Sequence, residues 1–285
     1  MRDAMHGASA MGSMLIEDAA ATGAAPRPAH AVARLRAARL AVSTRPFLAH
    51  GGPRGERCEG CRLRPSHCLC GLPVRQASVR AGVCLLMHDA EPLKPSNTGW
   101  LVADVVPDTF AFGWSRTQAS EELLALLDDP WWQPYVVFPG EYADSARPVV
   151  HALEDVGCAH GEPASRGRRP LFVLLDATWS QARKMFRKSP YLDRFPVLSL
   201  HPGQVSAYRL RRASRGDHFC TSEVAALCLE LSHDDTASRV LAQWLEVFTH
   251  HYEQARNQLP AQWDGAQHQR LNACLAHARG EAAER

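Results

Sequence analysis

Short apolar runs alternate with amphipathic segments along the chain from Val79 onward. The apolar runs lie within VRAGVCLLMH, DTFAFGW, YVVFPGE and LFVLLDA, and SEELLALLDD is an example of the helix-like segments between them. Continuous apolar strands separated by helical segments are typical of a mostly parallel sheet that is covered on both faces. The pattern therefore predicts an α/β fold.

Helices are also predicted on either side of this region. Upstream, residues 30–47 form a basic amphipathic pattern that should end before Pro46. Downstream, the segment TSEVAALCLEL and residues 237–258 place apolar side chains three and four positions apart. We therefore expect two C-terminal helices to complete the core.

These patterns divide the chain into four parts. The predicted parts are a disordered extension (1–30), a basic helix with a cysteine cluster (31–78), the main domain (79–258) and a C-terminal tail (259–285). Within the main domain, residues 143–170 disperse Pro, Gly and Arg, with a weak helical pattern only around 149–156. We interpret 143–170 as a largely exposed insertion.

Composition narrows the functional classes. The chain has 285 residues, of which 46% are hydrophobic, and a formal net charge of +2, so it can bury a large core. No apolar run approaches the roughly 20 residues that a membrane helix needs, and the N-terminus lacks the layout of a secretory signal. We expect a cytoplasmic protein without a membrane segment, and we predict no obligate protein partner.

Four of the nine cysteines fall within thirteen residues, in RCEGCRLRPSHCLC. Cys58, Cys61, Cys68 and Cys70 form a C-x2-C-x6-C-x-C pattern, which can close a tetrahedral zinc site with no open coordination position. A structural zinc knuckle in a reducing compartment is therefore predicted, and four free thiols are the alternative. The nearby side chains of Arg57, Arg62, Arg64 and His67 make the knuckle a plausible nucleic-acid contact.

The stretch LFVLLDATWSQARKM places Asp176 directly after a predicted central strand. In open α/β sheets ligands bind beyond the carboxyl ends of the strands, where a carboxylate can take a proton and a tryptophan can stack on a planar base. Thr178 and Gln181 have the spacing of a capping box. The alternatives are a loop carboxylate that favours the helix N-terminus for Asp176, and core packing for Trp179.

Another polar cluster, with His88 and Glu91, follows an apolar strand upstream, and 96–98 can cap the next helix. It helps outline a pocket.

Positive charge concentrates in one region. Between residues 179 and 216 nine Lys and Arg stand against one acid, a local net charge of +8, with tyrosines interleaved. Such a patch is the expected footprint of phosphate-backbone binding, although a solvated face remains the alternative.

Taken together, seven elements resemble the DTW-domain family of tRNA-uridine aminocarboxypropyltransferases. They are STRPFLA, CEGCRLRPSHCLC, NTG, FPGE, DATW, SAYRLR and CTSEV, in the family's order from about Arg34 to Leu231. The resemblance implies a SPOUT-like α/β domain with a knotted C-terminal cofactor region. It also implies S-adenosylmethionine as co-substrate and tRNA as partner, with transfer of the aminocarboxypropyl group to N3 of a uridine.

Site residues follow from matching positions and from the charge pattern. Asp176, Thr178 and Trp179 are the candidate catalytic set. Candidate cofactor contacts are Asn97, Thr98, Gly99, Phe138, Pro139, Gly140, Thr221 and Glu223. Candidate RNA contacts are Arg183, Lys184, Arg187, Lys188, Tyr208, Arg209, Arg211 and Arg212. The alternatives are a methyltransferase that uses the same co-substrate on RNA and a non-catalytic zinc-knuckle RNA-binding protein.

Overall fold

A single parallel sheet of six strands organises the protein. The computed structural model describes residues 29–44, 56–153, 168–200 and 219–280. The strands are β1 (Gly82–Met87), β2 (Thr109–Gly113), β3 (Trp132–Val137), β4 (Val149–Val150), β5 (Arg169–Asp176) and β6 (Val197–Leu198). All neighbouring pairs are parallel, in the order β2-β1-β5-β3-β6-β4. The predicted α/β class with a mostly parallel sheet is confirmed.

Seven α-helices surround the sheet in the described residues. They are α1 (Ala31–Ala41), α2 (Gly99–Val105), α3 (Glu121–Asp128), α4 (Trp179–Arg187), α5 (Thr221–Leu231), α6 (Asp235–Arg256) and α7 (Ala266–Ala278). Short 3-10 turns lie at Pro65–His67, Glu91–Leu93, Gly140–Tyr142 and Pro190–Leu192. Among the described helices, none combines the length and the apolar character that crossing a membrane requires.

Helices cover both faces of the sheet because alternate strand residues point in opposite directions. In β5, Phe172 and Leu174 join the core formed with α2, α5, α6 and α7. Leu171 and Val173 join the opposite core, which is closed by α3 and α4. The continuous apolar runs therefore correspond to strands that are buried on both sides.

The order of the strands places β5 inside the sheet, between β1 and β3. The chain passes from β1 outward to β2 and then returns to β3 on the other side, and β5 later fills the position between β1 and β3. This reversal of direction is the point where open α/β sheets bind ligands, beyond the carboxyl ends of the strands. Asp176 ends β5 at this point.

Two sequence expectations need revision. Residues 149 and 150, expected to begin a weak helix in an exposed insertion, instead form β4, and Val150 is buried against the core. Arg147 is also buried, and its guanidinium donates hydrogen bonds to the carbonyls of Leu192 and Phe195, both at 2.8 Å. Residues 149 and 150 form a strand because they pair with β6, and the periodicity of the sequence does not reveal that pairing. Residues 154–167 lie outside the described residues.

The C-terminal segment assigned from sequence to a tail contains α7. This helix packs against α6 through buried Leu271 and Leu275, and His268 lies 2.9 Å from His251, Nε2 to Nε2. The buried face of α7 is thus part of the core.

Candidate active site and metal centre

Asp176 is a buried carboxylate held by two side chains. It is 4% exposed. Thr221 Oγ1 donates a hydrogen bond to Oδ1 at 2.7 Å, and Asn97 Nδ2 donates to Oδ2 at 2.8 Å. The two donors come from the start of α5 and from the loop before α2, so the carboxylate joins β5 to two other elements. Each oxygen keeps a lone pair for a further hydrogen bond or a proton.

Burial perturbs the acidity of this carboxyl group. Removal from water raises the pKa of Asp176 from 3.8 to about 6, and the hydrogen bonds from Asn97 and Thr221 offset part of that rise. Glu91 raises the pKa further and Lys94 lowers it. A carboxylate with this pKa is ionised at neutral pH yet is a stronger base than an ordinary aspartate, which suits proton abstraction.

The NTG element surrounds Asp176. Asn97 uses both ends of its amide, because its Oδ1 also accepts a hydrogen bond from the Trp100 N–H at 3.1 Å at the start of α2. A Cβ atom at Gly99 would lie 2.5 Å from Asp176 Oδ2, so only glycine allows this approach. Thr98 Oγ1 lies 3.5 Å from the amide nitrogen of Ser222 in α5. In the structure Asn97 holds Asp176 and Gly99 leaves room for its carboxylate, and contact of this element with a cofactor stays a prediction.

An apolar cleft of about 500 Å³ runs along the carboxyl ends of β3, β5 and β6. The starts of α4 and α5 close it. Of the sequence-predicted site residues, Phe138, Pro139, Trp179 and Thr221 line it. Its volume is within the range of small-molecule sites, and Thr221 connects it to Asp176.

Trp179 begins α4 at the mouth of this cleft and is 37% exposed. One face of its indole stacks on Phe138, with centroids 5.4 Å apart and planes 12° apart, and Tyr142 meets it edge-on at 5.8 Å. Thr178 ends the preceding turn as the helix cap, and its N–H donates to Gln181 Oε1 at 3.1 Å. The indole is therefore fixed by packing while part of its surface stays open to a ligand.

The first turn of α5 has its own cap. The Cys220 N–H donates to Glu223 Oε2 at 2.8 Å. Burial raises the pKa of the Cys220 thiol to about 11, so this thiol is neutral at physiological pH. Glu223 thus caps the helix that carries Thr221. Gly140, which follows the lining residue Pro139, donates its N–H to Ser199 Oγ at 3.0 Å.

The outer side of α4 carries exposed positive charge. Arg183, Lys184, Arg187 and Lys188 are all exposed, and none of them forms an ion pair with a carboxylate among the described residues. Arg183 also lies over the Tyr142 ring, with its Cζ 5.5 Å from the centroid. The other predicted RNA contacts, at 208, 209, 211 and 212, lie outside the described residues. The exposed cations and the indole therefore share one side of the molecule.

The four cysteines of the knuckle converge as a metal site requires. Their sulfur atoms all lie within 4.8 Å of one another, with 3.4 Å between Cys58 and Cys70 and 3.7 Å between Cys61 and Cys68. A tetrahedral ion with Zn–S bonds of about 2.3 Å holds its ligands about 3.8 Å apart, so the donor set and spacing fit zinc. Hydrogen bonding to Cys61 lowers the pKa of Cys58 to about 6, and the same contact raises the pKa of Cys61. The thiols thus share protons among themselves, and a bound metal would be needed to ionise all four.

The knuckle is built into the fold through Arg62. This residue has φ of 66° and is 1% exposed. Its guanidinium lies between two rings, with Cζ 4.4 Å from the Trp100 centroid and 5.1 Å from that of Phe248 in α6. His67 is buried as well, with Nε2 3.1 Å from the carbonyl oxygen of Leu259. The expectation that Arg62 and His67 present charge to a nucleic acid is therefore wrong, because both side chains face the core.

Two parts of the site escaped sequence analysis. The apolar wall of the cleft comes from strand ends such as Leu174 and Leu198, which have the same pattern as core residues. No feature of the sequence indicates that Arg62 is buried, because nothing in CRLRP distinguishes it from half-buried Arg64.

Comparisons with known proteins cover most of this architecture. A family model described as the DTW domain matches residues 55–253. A Drosophila melanogaster protein named tRNA-uridine aminocarboxypropyltransferase 2 is 28% identical over 184 residues, which cover 62% of this chain and 66% of that protein. The chain thus spans slightly less than two thirds of that relative's length. No solved structure matches the chain.

Proposed function

Because the chain belongs to the DTW domain family, we propose that it transfers the 3-amino-3-carboxypropyl group of S-adenosylmethionine to N3 of a tRNA uridine. The observation that carries the proposal is the buried Asp176, held by Asn97 and Thr221 beside an apolar cleft. The relative named as a tRNA-uridine aminocarboxypropyltransferase supports it. The methyltransferase alternative uses the same co-substrate but leaves a different product.

The reaction is a displacement at carbon. S-adenosylmethionine supplies an electrophilic methylene next to its sulfonium. The new N3–C bond forms as the C–S bond breaks, the electron pair passes to sulfur, and methylthioadenosine leaves. The N3 proton must also be removed. Asp176, with its pKa raised to about 6, is the proposed acceptor of that proton.

The cleft is the proposed site for the adenosyl part of the co-substrate. Its volume of about 500 Å³ and its apolar walls suit a nucleoside with a thioether, and Phe138, Pro139 and Thr221 would contact that group. The SPOUT-like knotted cofactor region stays part of the proposal, as do the contacts of Tyr208, Arg209, Arg211 and Arg212 with RNA, which lie outside the described residues. Trp179 is proposed to stack on the target uracil at the mouth of the cleft.

The exposed cations of α4 are the proposed tRNA contact. They flank Trp179, so a phosphate backbone bound there would bring a neighbouring base to Asp176. The zinc knuckle is assigned a structural role, since four cysteine ligands leave no coordination position for substrate.

Mass spectrometry of products tests the proposal. Unmodified tRNA is incubated with the purified, zinc-loaded chain and S-adenosylmethionine, and nucleosides and small molecules are analysed together. We expect aminocarboxypropyl-uridine together with methylthioadenosine. Methylated nucleoside with S-adenosylhomocysteine would replace this proposal by methyl transfer, and tRNA binding without turnover would leave only a binding protein.

Lys184→Gln tests the basic side of α4. We expect weaker tRNA binding and a slope of log affinity against log salt that is shallower by about 0.7–0.9, the value for one phosphate contact. Filter binding at several salt concentrations measures it. Arg270→Gln is the matched control, because that exposed arginine is on α7 and pairs with Glu246. An unchanged slope for Lys184→Gln would remove this residue from the tRNA contact.

A further inference from the structure

The loop between β1 and α2, residues 88–98, contacts the Asp176 carboxylate. Its last part carries Asn97, whose side-chain amide donates to Asp176 Oδ2 at 2.8 Å. It also carries Glu91 and Lys94, which form an ion pair at 2.5 Å and act on the carboxyl group through their charge. A displacement of this loop therefore moves both the hydrogen bond and the charges around Asp176.

Three arginines from the N-terminal region hold this loop. Arg36 Nη1 donates to the carbonyls of Pro92 and Leu93, at 2.9 and 2.6 Å. Arg39 pairs with Asp89 at 2.5 Å. Arg62 Nη1 donates to the carbonyls of Pro95 and Asn97, at 2.9 and 2.8 Å. These loop carbonyls have arginine side chains as partners, so the loop depends on the N-terminal region for its shape.

Arg62 has the most direct connection among the three. It follows the metal-ligand candidate Cys61 in sequence, and its N–H donates to the Cys58 carbonyl at 2.7 Å. Its guanidinium is held between Trp100 and Phe248, and one of its acceptors is Asn97 itself. The path from the sulfur cluster to the Asp176 carboxylate thus consists of Cys61, Arg62 and Asn97.

We propose that Arg62 is a positioning residue that couples the zinc knuckle to Asp176 by fixing the backbone of Asn97. The inference rests on the proposed function for its kinetic consequence, while its geometric content is independent of it. The knuckle is then a support of the active site rather than a separate nucleic-acid module. A bound metal would fix the Cys58–Cys61 turn. That turn determines the position of Arg62, and Arg62 in turn determines the backbone conformation of the loop at residues 88–98.

Arg62→Met in the zinc-loaded full chain tests this coupling. Methionine keeps an apolar side chain between the two rings and removes the donors to Pro95 and Asn97. We expect a turnover number lower by about ten- to hundred-fold, the range for residues that orient a reacting group, with unchanged affinity for tRNA and for S-adenosylmethionine. Arg62→Lys, which retains a donor, should recover part of the rate. Arg75→Met is the control, since within the described part of the chain that exposed arginine donates to the Pro107 carbonyl and to no carbonyl of residues 88–98.

A second readout does not depend on turnover. The ¹⁵N side-chain amide resonance of Asn97, assigned with Asn97→Asp, should move in Arg62→Met toward its position in Asp176→Ala, at full zinc content by elemental analysis. An unmoved resonance would overturn the inference, even if the rate fell. If Arg62→Met does not fold, the same resonance is measured in Arg62→Lys, which keeps the buried charge with a shorter and differently shaped donor group and should move the resonance part of the way; no movement there would equally overturn the inference.

The two proposals fail separately. If the wild-type chain transfers no aminocarboxypropyl group, the proposed function is wrong, and the Asn97 resonance still decides whether Arg62 positions Asp176. If the wild-type chain is active and Arg62→Met has wild-type turnover with an unmoved resonance, the coupling is wrong and the function stands.

Discussion

Asp176→Asn is expected to lower turnover by about 10²- to 10⁴-fold, the usual contribution of a general base, with tRNA affinity unchanged. An amide cannot accept the N3 proton. The fold should persist, because an asparagine can accept from Asn97 with its oxygen and donate to Thr221 with its nitrogen, which keeps both contacts. Single-turnover kinetics with saturating tRNA and S-adenosylmethionine measure the loss. Asp128→Asn, an exposed carboxylate paired with Arg194, is the control and should have wild-type turnover.

The pH dependence of stability gives the same substitution a second test. The folded-state pKa of Asp176, about 6, is above its ordinary 3.8, so the folded chain binds this proton more tightly than the unfolded chain. That stabilisation is complete below about pH 3.8 and is lost as the pH rises through 6. The difference between the two pKa values corresponds to about 3 kcal/mol.

Asp176→Asn should therefore have a free energy of unfolding similar to that of wild type near pH 4 and higher by about 3 kcal/mol above pH 6. Urea unfolding at both pH values measures this difference. In the same range, wild-type turnover should rise with pH to a plateau above about 6, because Asp176 accepts a proton only when ionised. Wild-type turnover in Asp176→Asn would refute the role of Asp176 as the general base. Equal free energies of unfolding for the two chains at both pH values would refute the raised pKa of this buried carboxyl group.

Cys68→Ser is expected to release the metal and destabilise the whole chain. Metal binding at a four-cysteine site contributes directly to folding, and three thiolates hold zinc much less tightly. The knuckle also packs on α6 through Arg62, which lies over Phe248, and His67, whose ring meets that of His251, so the effect of its loss is not confined to the N-terminus. We expect the free energy of unfolding to fall by about 3 kcal/mol or more, which corresponds to about 6–12 °C in Tm.

Elemental analysis and calorimetry of the purified chain check this result. We expect about one zinc per wild-type chain and nearly none in Cys68→Ser. Cys274→Ser is the matched control, because this half-buried thiol on α7 is remote in sequence from the cluster and should keep both metal and Tm. A Cys68→Ser chain that retains one zinc and the wild-type Tm would rule out the four-cysteine site.

The fold class was predictable because it follows from local patterns. Apolar runs such as LFVLL are typical of strands that are buried on both faces, and the spacing in 237–258 is typical of an amphipathic helix. The location of Asp176 at a strand end and the Thr178 cap followed from the same local rules. Strand β4 and the packing of α7 did not, because both depend on partners far along the chain.

The candidate site likewise depends partly on local sequence and partly on contacts between distant parts of the chain. The sequence by itself determined which groups are available: the four thiols, the carboxylate that ends β5, the indole beside it and the cations of α4. Only the tertiary structure decided how they are used. It brought Asn97 and Thr221 onto Asp176 across 79 and 45 residues and buried Arg62 between two aromatic rings. The reason is physical: hydrogen bonds and burial depend on which surfaces meet when the chain folds, and residue type alone does not specify the partner.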